Sequence, residues 1–488
     1  MLCLLAVGLT AAYAQPSART ARIRPAATAP ALDGPNILVL FTSEQAAGMT
    51  GFEGNSEIQT PNLDRLAAES VYFSRCYTPT PQSAPAQATV ITGQYPHAHG
   101  VLADGEPLKP GTDTFTARLQ KGGYACGLVG RWDLSKDQAA EPGFGLVDYV
   151  ATSDGKWTGA RTRVNGKEGE TDKYLTDWEA DQAIDFIQKF KERPFFLWVC
   201  FNAPREPLEY PPDSAGQYPP ESLKLPETLR ANPTTRPAKL NQSPLATRSK
   251  ARTADEKALR QDRSKYYAMI SRIDQNVGRI LEQVDALGLR EKTVVVFTSS
   301  HGYALGEHGL VGAGPAFYEE LVRVPLLVRY PGLATPGARI DRIVGLVDLA
   351  PTFLELTGQR RSFIIQGDSL MALLRDPDSR RHGDEEFFEY SRQTGDKERN
   401  QPDFPCPVRG MVTKNYKFVD YTDGSFCLYD LKRDPLEMNN LSRRHTAGGP
   451  IMTLDPAQAV EPHYISIFRV LRERLDQWRK QTRDTTLR

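Results

Sequence analysis

Past residue 35 the chain alternates between two hydrophobic patterns. Asn36–Thr42 (NILVLFT) is a continuous apolar run, the pattern of a strand buried on both faces. Segments 126–129, 195–201 and 293–298 repeat it. Between them, apolar residues recur at helical spacing. Tyr266, Ile270, Ile273, Val277, Ile280, Val284 and Leu287 step by four and by three, which predicts a long amphipathic helix with Gly288 at its C-terminal cap. Thr60-Pro61 opens an earlier helix, with Thr as N-cap, Pro at the first helical position, and Leu63, Leu66 and Ala67 on one face. Buried strands alternating with amphipathic helices predict an α/β sandwich with a mainly parallel sheet.

Two stretches break the alternation. Residues 204–262 are rich in Pro, Ser, Thr and Arg and have little period, so they read as an insertion or a long surface loop. Near residue 380 short strand-like runs take over: 386–390, 410–413, Tyr416–Tyr421 and 426–429, with turns such as Thr422-Asp423-Gly424. A charged helix over 464–482 follows. The organisation read from this is an α/β domain over 35–380 and a small C-terminal α+β domain with an antiparallel sheet over 381–488. No internal repeat is visible.

The first fourteen residues (MLCLLAVGLTAAYA) are apolar, too short to span a bilayer, and end in Ala12-Tyr13-Ala14, the small-residue pattern of signal-peptide cleavage. The positive charge that usually precedes such a run is missing. Residues 15–34, rich in Pro, Ala and Arg, read as a flexible leader. The expectation is a secreted or periplasmic protein.

Composition narrows the function classes. Sixty Lys+Arg balance 60 Asp+Glu across 488 residues, which removes the simplest case for a nucleic-acid or anionic-membrane binder. The six cysteines are widely spaced with no C-x-x-C, so they form neither a disulfide framework nor a thiolate metal site. Cys406 and Cys427 could pair across a C-terminal hairpin, or stay reduced and buried.

Several short stretches, in one order over some four hundred residues, carry a resemblance. They are Pro35-Asn36-Ile37-Leu38, Thr60-Pro61-Asn62-Leu63-Asp64-Arg65-Leu66-Ala67, Ile91-Thr92-Gly93-Gln94-Tyr95-Pro96-His97, Leu305-Gly306-Glu307-His308-Gly309-Leu310, Arg323-Val324-Pro325-Leu326 and Val347-Asp348-Leu349-Ala350-Pro351-Thr352. Together with Leu428-Tyr429-Asp430-Leu431 near the end, they resemble the sulfatases of the alkaline phosphatase superfamily. The resemblance implies an alkaline-phosphatase-like sandwich. It also implies a formylglycine nucleophile made in a C/S-x-P-x-R motif and a divalent cation, usually calcium, bound by several carboxylates. Arg, Lys and His side chains would stabilise the charge that grows on the sulfate ester.

At those positions this chain departs from the pattern. The nucleophile motif reads Ser83-Ala84-Pro85-Ala86-Gln87, with neutral Gln87 in place of Arg. The metal-ligand positions fall on Ser43, Glu44, Ser300 and His301, so one carboxylate remains. The family's G-K-W-H-L reads Gly130-Arg131-Trp132-Asp133-Leu134, and its later His and Lys fall on Arg205 and Ala313. One carboxylate and one His make a poor calcium site, and a neutral serine without activation is a weak nucleophile.

The bland alternatives stay beside the chemical ones. Ser83 is a nucleophile or a helix N-cap. Glu44 and His301 retain a weak metal site or hydrogen-bond to one another. Arg131 and Arg205 form an anion pocket, or pair with Asp133 or Glu206. His97, His99 and His308 read as structural. The run over 248–260 reads as a solvated loop or helix face. The expectation is a pseudoenzyme that binds a sulfated or anionic glycan and needs no cofactor. The rivals are an active sulfuric ester hydrolase using Ser83 with an altered calcium shell, and a phosphoester hydrolase, which requires two metals and their carboxylates.

Overall fold

The computed structural model describes residues 34–134, 144–146, 148–231, 236–333, 335–362, 364–379, 382–393, 404–421, 424–442, 460 and 462–485. The expected signal segment, nearly all of the expected leader, the Thr422-Asp423 turn and the Cys406 side chain lie outside them. Cys427 is a free, buried thiol, as are Cys76, Cys126 and Cys200.

Thirteen strands precede the C-terminal region among the described residues. They begin with β1 (Asn36–Thr42), β2 (Val71–Tyr77), β3 (Ala125–Gly130), β4 (Tyr149–Ser153), β5 (Ala160–Val164) and β6 (Lys167–Thr171). Then come β7 (Phe195–Cys200), β8 (Thr293–Ser299), β9 (Ala304–Leu305), β10 (Val311–Gly312), β11 (Arg323–Val324), β12 (Leu326–Arg329) and β13 (Arg339–Gly345). Eleven of them form one sheet in the order β11-β2-β12-β8-β1-β7-β3-β4-β5-β6, with β13 alongside β2. Its centre, β8-β1-β7-β3-β4, is parallel, and antiparallel strands extend both flanks. This is an α/β fold with a mainly parallel central sheet.

The apolar runs form the central strands because both faces are covered. Leu38 and Leu40 of β1 enter one core cluster, while Ile37, Val39 and Phe41 enter the other. The same division splits Phe195, Leu197 and Val199 of β7 from Phe196, Trp198 and Cys200. The long helix is real and longer than its apolar stripe, running Glu256–Ala286 with Asp255 accepting from Ala258 N–H at 3.0 Å as its N-cap. Gly288 follows its end at φ +68. Thr60 precedes the helix Pro61–Ala68, but its hydroxyl caps no helix N–H: it donates to the Asp64 side chain at 3.1 Å and accepts from Gly51 N–H at 2.8 Å.

The segment 204–262 is not an unstructured loop over its described part. It holds the helix Pro244–Ala254, capped by Ser243, and the first turns of the long helix. In the C-terminal region, β14 (Glu385–Gln393), β15 (Phe404–Thr413), β16 (Tyr416–Tyr421) and β17 (Phe426–Asp430) form an antiparallel sheet in chain order. The helix Ile465–Thr482 packs on it through Phe468, Leu471, Leu475 and Trp478. No described helix is long and apolar enough to cross a membrane.

A buried ion pair ties β13 to the segment that leads into β14. Asp348 accepts from Gly345 N–H at 2.8 Å and Asp368 N–H at 2.7 Å, and pairs with His382 Nε2 at 3.1 Å. Burial alone would lower the His382 pKa, but the Asp348 carboxylate overcomes it and raises the value to about 9. A raised histidine contributes its full stability below its unfolded value of 6.5 and loses it as pH rises through about 9. We therefore expect His382→Asn to cost roughly 3 kcal/mol in urea unfolding at pH 6, and the gap from wild type to shrink steadily between pH 6.5 and pH 9.

Candidate active site

Parallel strands share one polarity, so the loops leaving β1, β3, β7 and β8 emerge at the same edge of the sheet. Those loops carry Ser43-Glu44, Arg131-Asp133, Phe201-Arg205 and Ser300-His301. The helix Ser83–Thr92 begins beside them and is buried along its whole length. A cleft of about 160 Å³ opens at this edge, bordered by Glu44, Asp104, Glu206, Arg248, His301 and Ala313.

Glu44 reaches the cleft from an unusual backbone. Its φ is +65, the left-handed region, which costs a non-glycine residue roughly 1–3 kcal/mol. The turn is held on both sides: Glu44 N–H donates to Ser300 Oγ at 3.2 Å, and Tyr266 OH donates to the Glu44 carbonyl. Burial raises the Glu44 pKa and Glu206 adds to the rise, against His301, Arg205 and Arg131. Ser43 points away and donates to the Phe201 carbonyl at 2.9 Å.

Ser83 is the first residue of its helix and does not cap it. The carboxylate of Asp104 takes that role, accepting from Ala84 N–H at 2.9 Å. Ser83 Oγ instead lies 3.2 Å from His301 Nε2. The other ring nitrogen, Nδ1, is 2.8 Å from the Gly302 carbonyl, which can only accept, so Nδ1 carries the proton. In the neutral ring Nε2 is then free to accept from the serine. This corrects two sequence expectations. His301 spends both nitrogens on Ser83 and Gly302 rather than on Glu44, and Ser83 does have an acceptor for its proton.

Gln87, Arg131 and Asp133 form a closed network. Arg131 Nε donates to Asp133 Oδ2 at 2.7 Å, Gln87 Nε2 donates to the same oxygen at 3.3 Å, and Asp133 N–H donates to Gln87 Oε1 at 3.0 Å. The glycine that opens this loop is obligatory. Gly130 has φ +91, and a Cβ there would sit 2.1 Å from the Cys200 carbonyl oxygen. Arg131 is thus a paired residue.

Arg205 is different. It donates to the Glu206 carbonyl at 3.2 Å, its buried Nε has no hydrogen-bond partner, and no carboxylate among the described residues lies within 4.0 Å of it. Burial lowers its pKa to about 10, and the like charge of Arg131 contributes. Glu206 turns its carboxylate to the hydroxyl of Tyr303.

These donors do not fit calcium, which takes six to eight oxygen ligands with several carboxylates. Of the four family ligand positions only Glu44 offers a carboxylate; Asp104 and Glu206 also border the cleft, but among the described residues no three His, Asp or Glu ligand atoms there lie within 4.8 Å of one another. The hydroxyls of Ser43 and Ser300 are engaged, and so is the imidazole of His301. Asp104, Glu206 and Arg248 border the cleft without having been singled out as site residues from the sequence. Asp104 sits in a segment with no recognisable motif, and Glu206 and Arg248 belong to the aperiodic stretch. His97 pairs with Glu389, His99 bonds Thr89 at 3.2 Å, and His308 stacks on Tyr318 at 3.7 Å with its Nε2 3.8 Å from Glu320.

Comparison with known proteins identifies the family. The family model described as Sulfatase matches residues 35–359, and the model described as N-sulphoglucosamine sulphohydrolase, C-terminal, matches residues 306–454. The N-acetylglucosamine-6-O-sulfatase of Bacteroides thetaiotaomicron is 25% identical over 470 residues, covering 83% of this chain and 82% of that one. The arylsulfatase of Clostridium perfringens is 26% identical, covering 83% and 90%. Among solved structures, BT4656 in complex with its substrate D-glucosamine-2-N,6-O-disulfate superposes with a TM-score of 0.78 at 24% identity, covering 93% of this chain and 99% of that one.

Replacing Asp133 by the histidine of the family pattern removes the counter-charge of Arg131 and the acceptor for Gln87 together. We expect Asp133→His to lower stability by roughly 3 kcal/mol, and Asp133→Asn, which keeps an acceptor, to cost less. Thermal unfolding of the two variants against wild type checks this.

Proposed function

From a chain that belongs to the sulfatase family, and whose family catalytic positions are mostly replaced, we propose a binding protein for sulfated or anionic carbohydrate that does not turn its ligand over. The observation that carries this reading is Arg205. A half-buried guanidinium whose buried Nε is unpartnered, next to the second guanidinium of Arg131 and with no carboxylate within 4.0 Å among the described residues, is a site that an anion would complete. Arg is suited to two-point recognition of an oxyanion. Relatives that act on sulfated sugars, such as the N-acetylglucosamine-6-O-sulfatase, make a sulfated carbohydrate the natural ligand class. The apolar start of the chain supports export to the periplasm or beyond as the setting.

The case against turnover is electrostatic. Gln87 is neutral where the family motif has Arg, Ala313 stands where it has Lys, and the donor set does not suit calcium. Each lost contact to developing charge is worth a few kcal/mol in the transition state, and such losses together remove most of a large rate enhancement.

A second reading rests on one observation: Ser83 Oγ and His301 Nε2 are 3.2 Å apart, the arrangement of a nucleophile with an adjacent base. On that reading the chain is an active ester hydrolase using Ser83.

One experiment separates them. Glucosamine 6-sulfate should raise the melting temperature of wild type, and Arg205→Ala should abolish the shift. Aryl sulfate hydrolysis should stay at the buffer rate in wild type and in Ser83→Ala alike. Turnover lost on Ser83→Ala would establish the second reading instead.

A further inference from the structure

Away from the cleft, three chain segments bring one imidazole and two carboxylates together. His308 comes from the turn between β9 and β10, Glu320 from the short helix Glu319–Val322, and Glu437 from the loop after β17. One ligand atom from each lies within 4.8 Å of the other two, the one such group among the described residues.

Two of the three are aimed by their backbone. His308 sits at φ +53 and Glu437 at φ +52, a conformation that residues with a side chain seldom adopt. His308 N–H donates to Thr228 Oγ1 at 3.1 Å, Arg236 donates to its carbonyl, and its ring stacks on Tyr318 at 3.7 Å. Glu437 accepts from Glu319 N–H at 2.8 Å.

Two atoms at the meeting point are unsatisfied. His308 is 2% exposed, and its Nε2 has no hydrogen-bond partner. Glu320 Oε2, 3.8 Å away, is buried and has none either. Buried polar atoms are normally paired, and these two face one another at a distance too long for a hydrogen bond, so they point to a third party between them.

The charges around them are otherwise matched. Glu307 pairs with Arg263 at 3.0 Å, and Lys417 lies 2.7 Å from Glu319 and 2.8 Å from Glu437. Glu320 has no Lys or Arg within 4.0 Å among the described residues. Burial, with Glu307 and Glu437 adding, raises its pKa to about 8. Lys417 also donates to the Phe317 carbonyl at 2.9 Å, so Glu437 can turn an oxygen to another cation without stranding the ammonium.

An imidazole nitrogen with two carboxylate oxygens suits zinc better than calcium or magnesium, which take oxygen. Zinc holds such ligands at about 2.0–2.2 Å, so two of them lie at most about 4 Å apart. The 3.8 Å between His308 and Glu320 fits that span, and a side-chain shift of about 1 Å brings in Glu437.

We propose that His308, Glu320 and Glu437 form a structural zinc site, with a water as fourth ligand. It ties the β9–β10 turn and the helix Glu319–Val322 to the C-terminal region. It also backs the candidate active site. Gly302, next to His301, donates its N–H to the Leu321 carbonyl at 2.9 Å, and a Cβ on Gly302 would lie 1.9 Å from the Glu320 carbonyl oxygen. The inference does not depend on the binding function proposed above.

The test uses the full chain freed of metal by a chelator, with zinc chloride as the probe. Isothermal titration should give one zinc per chain with Kd below about 1 µM, and the melting temperature should rise. Calcium or magnesium chloride at the same concentration should leave it unchanged. His308→Gln and Glu320→Gln should each weaken zinc at least about tenfold, since losing even a group that only orients a ligand costs that much. Glu320→Gln keeps the side-chain shape and should melt like wild type in chelator, so that lost affinity is not lost fold. Cobalt(II) bound to wild type should give the intense visible absorption of a four-coordinate ion, a readout that needs no variant. No zinc-induced shift in wild type, zinc bound equally by both variants, or a six-coordinate cobalt spectrum overturns the site and leaves a bridging water between His308 and Glu320.

Discussion

Strand β1 lies between β7 and β8, parallel to both, and both its faces are covered by separate apolar clusters. The arrangement has two consequences. A strand paired on both edges and buried on both faces has one register, because a slip of a single residue would exchange the sides of Ile37, Leu38, Val39 and Leu40. A parallel neighbourhood also sends every loop that follows a central strand to the same edge. Glu44, Arg131, Arg205 and His301 come from loops scattered over some 260 positions of sequence, and they meet because the strands before them run the same way.

What those loops hold is a balance of buried charge rather than a metal shell. Asp104 lies among protein groups that push its carboxyl upward: burial first, with Asp133 adding and Ala84 N–H, His301 and Arg131 opposing. Its carboxylate occupies the N-terminus of the helix Ser83–Thr92, where backbone N–H groups favour an anion. Arg131 is answered by Asp133, whereas Arg205 and Arg248 are not answered by any carboxylate within 4.0 Å among the described residues. The cleft is thus bordered by the carboxylates of Glu44, Asp104 and Glu206 and by the guanidinium of Arg248.

The fold was legible in the sequence wherever one physical signal dominated. Continuous apolar runs marked β1, β7 and β8, since two-face burial leaves no room for polar positions. The four-and-three stripe marked the long helix, though not its first ten residues, where Asp255 starts the helix by capping before the apolar face begins. The site was legible as positions but not as partnerships. Ser83 and His301 are 218 residues apart, and nothing local announces that His301 turns to the serine instead of to Glu44. Arg248 was hidden in a charged, aperiodic stretch, because its place at the cleft depends on the carbonyls of Val311 and Ala313.

The closed loop of bonds among Gln87, Arg131 and Asp133 has a bearing on how such a centre changes over generations. The Asp133 carboxylate accepts from both Arg131 and Gln87, in a setting that is nearly dry for Gln87. A lone return of Asp133 to the histidine common among sulfatases would strand both companions before it regained a use. Mutual dependence of this kind acts as a ratchet, easy to enter by small steps and closed to single-step retreat.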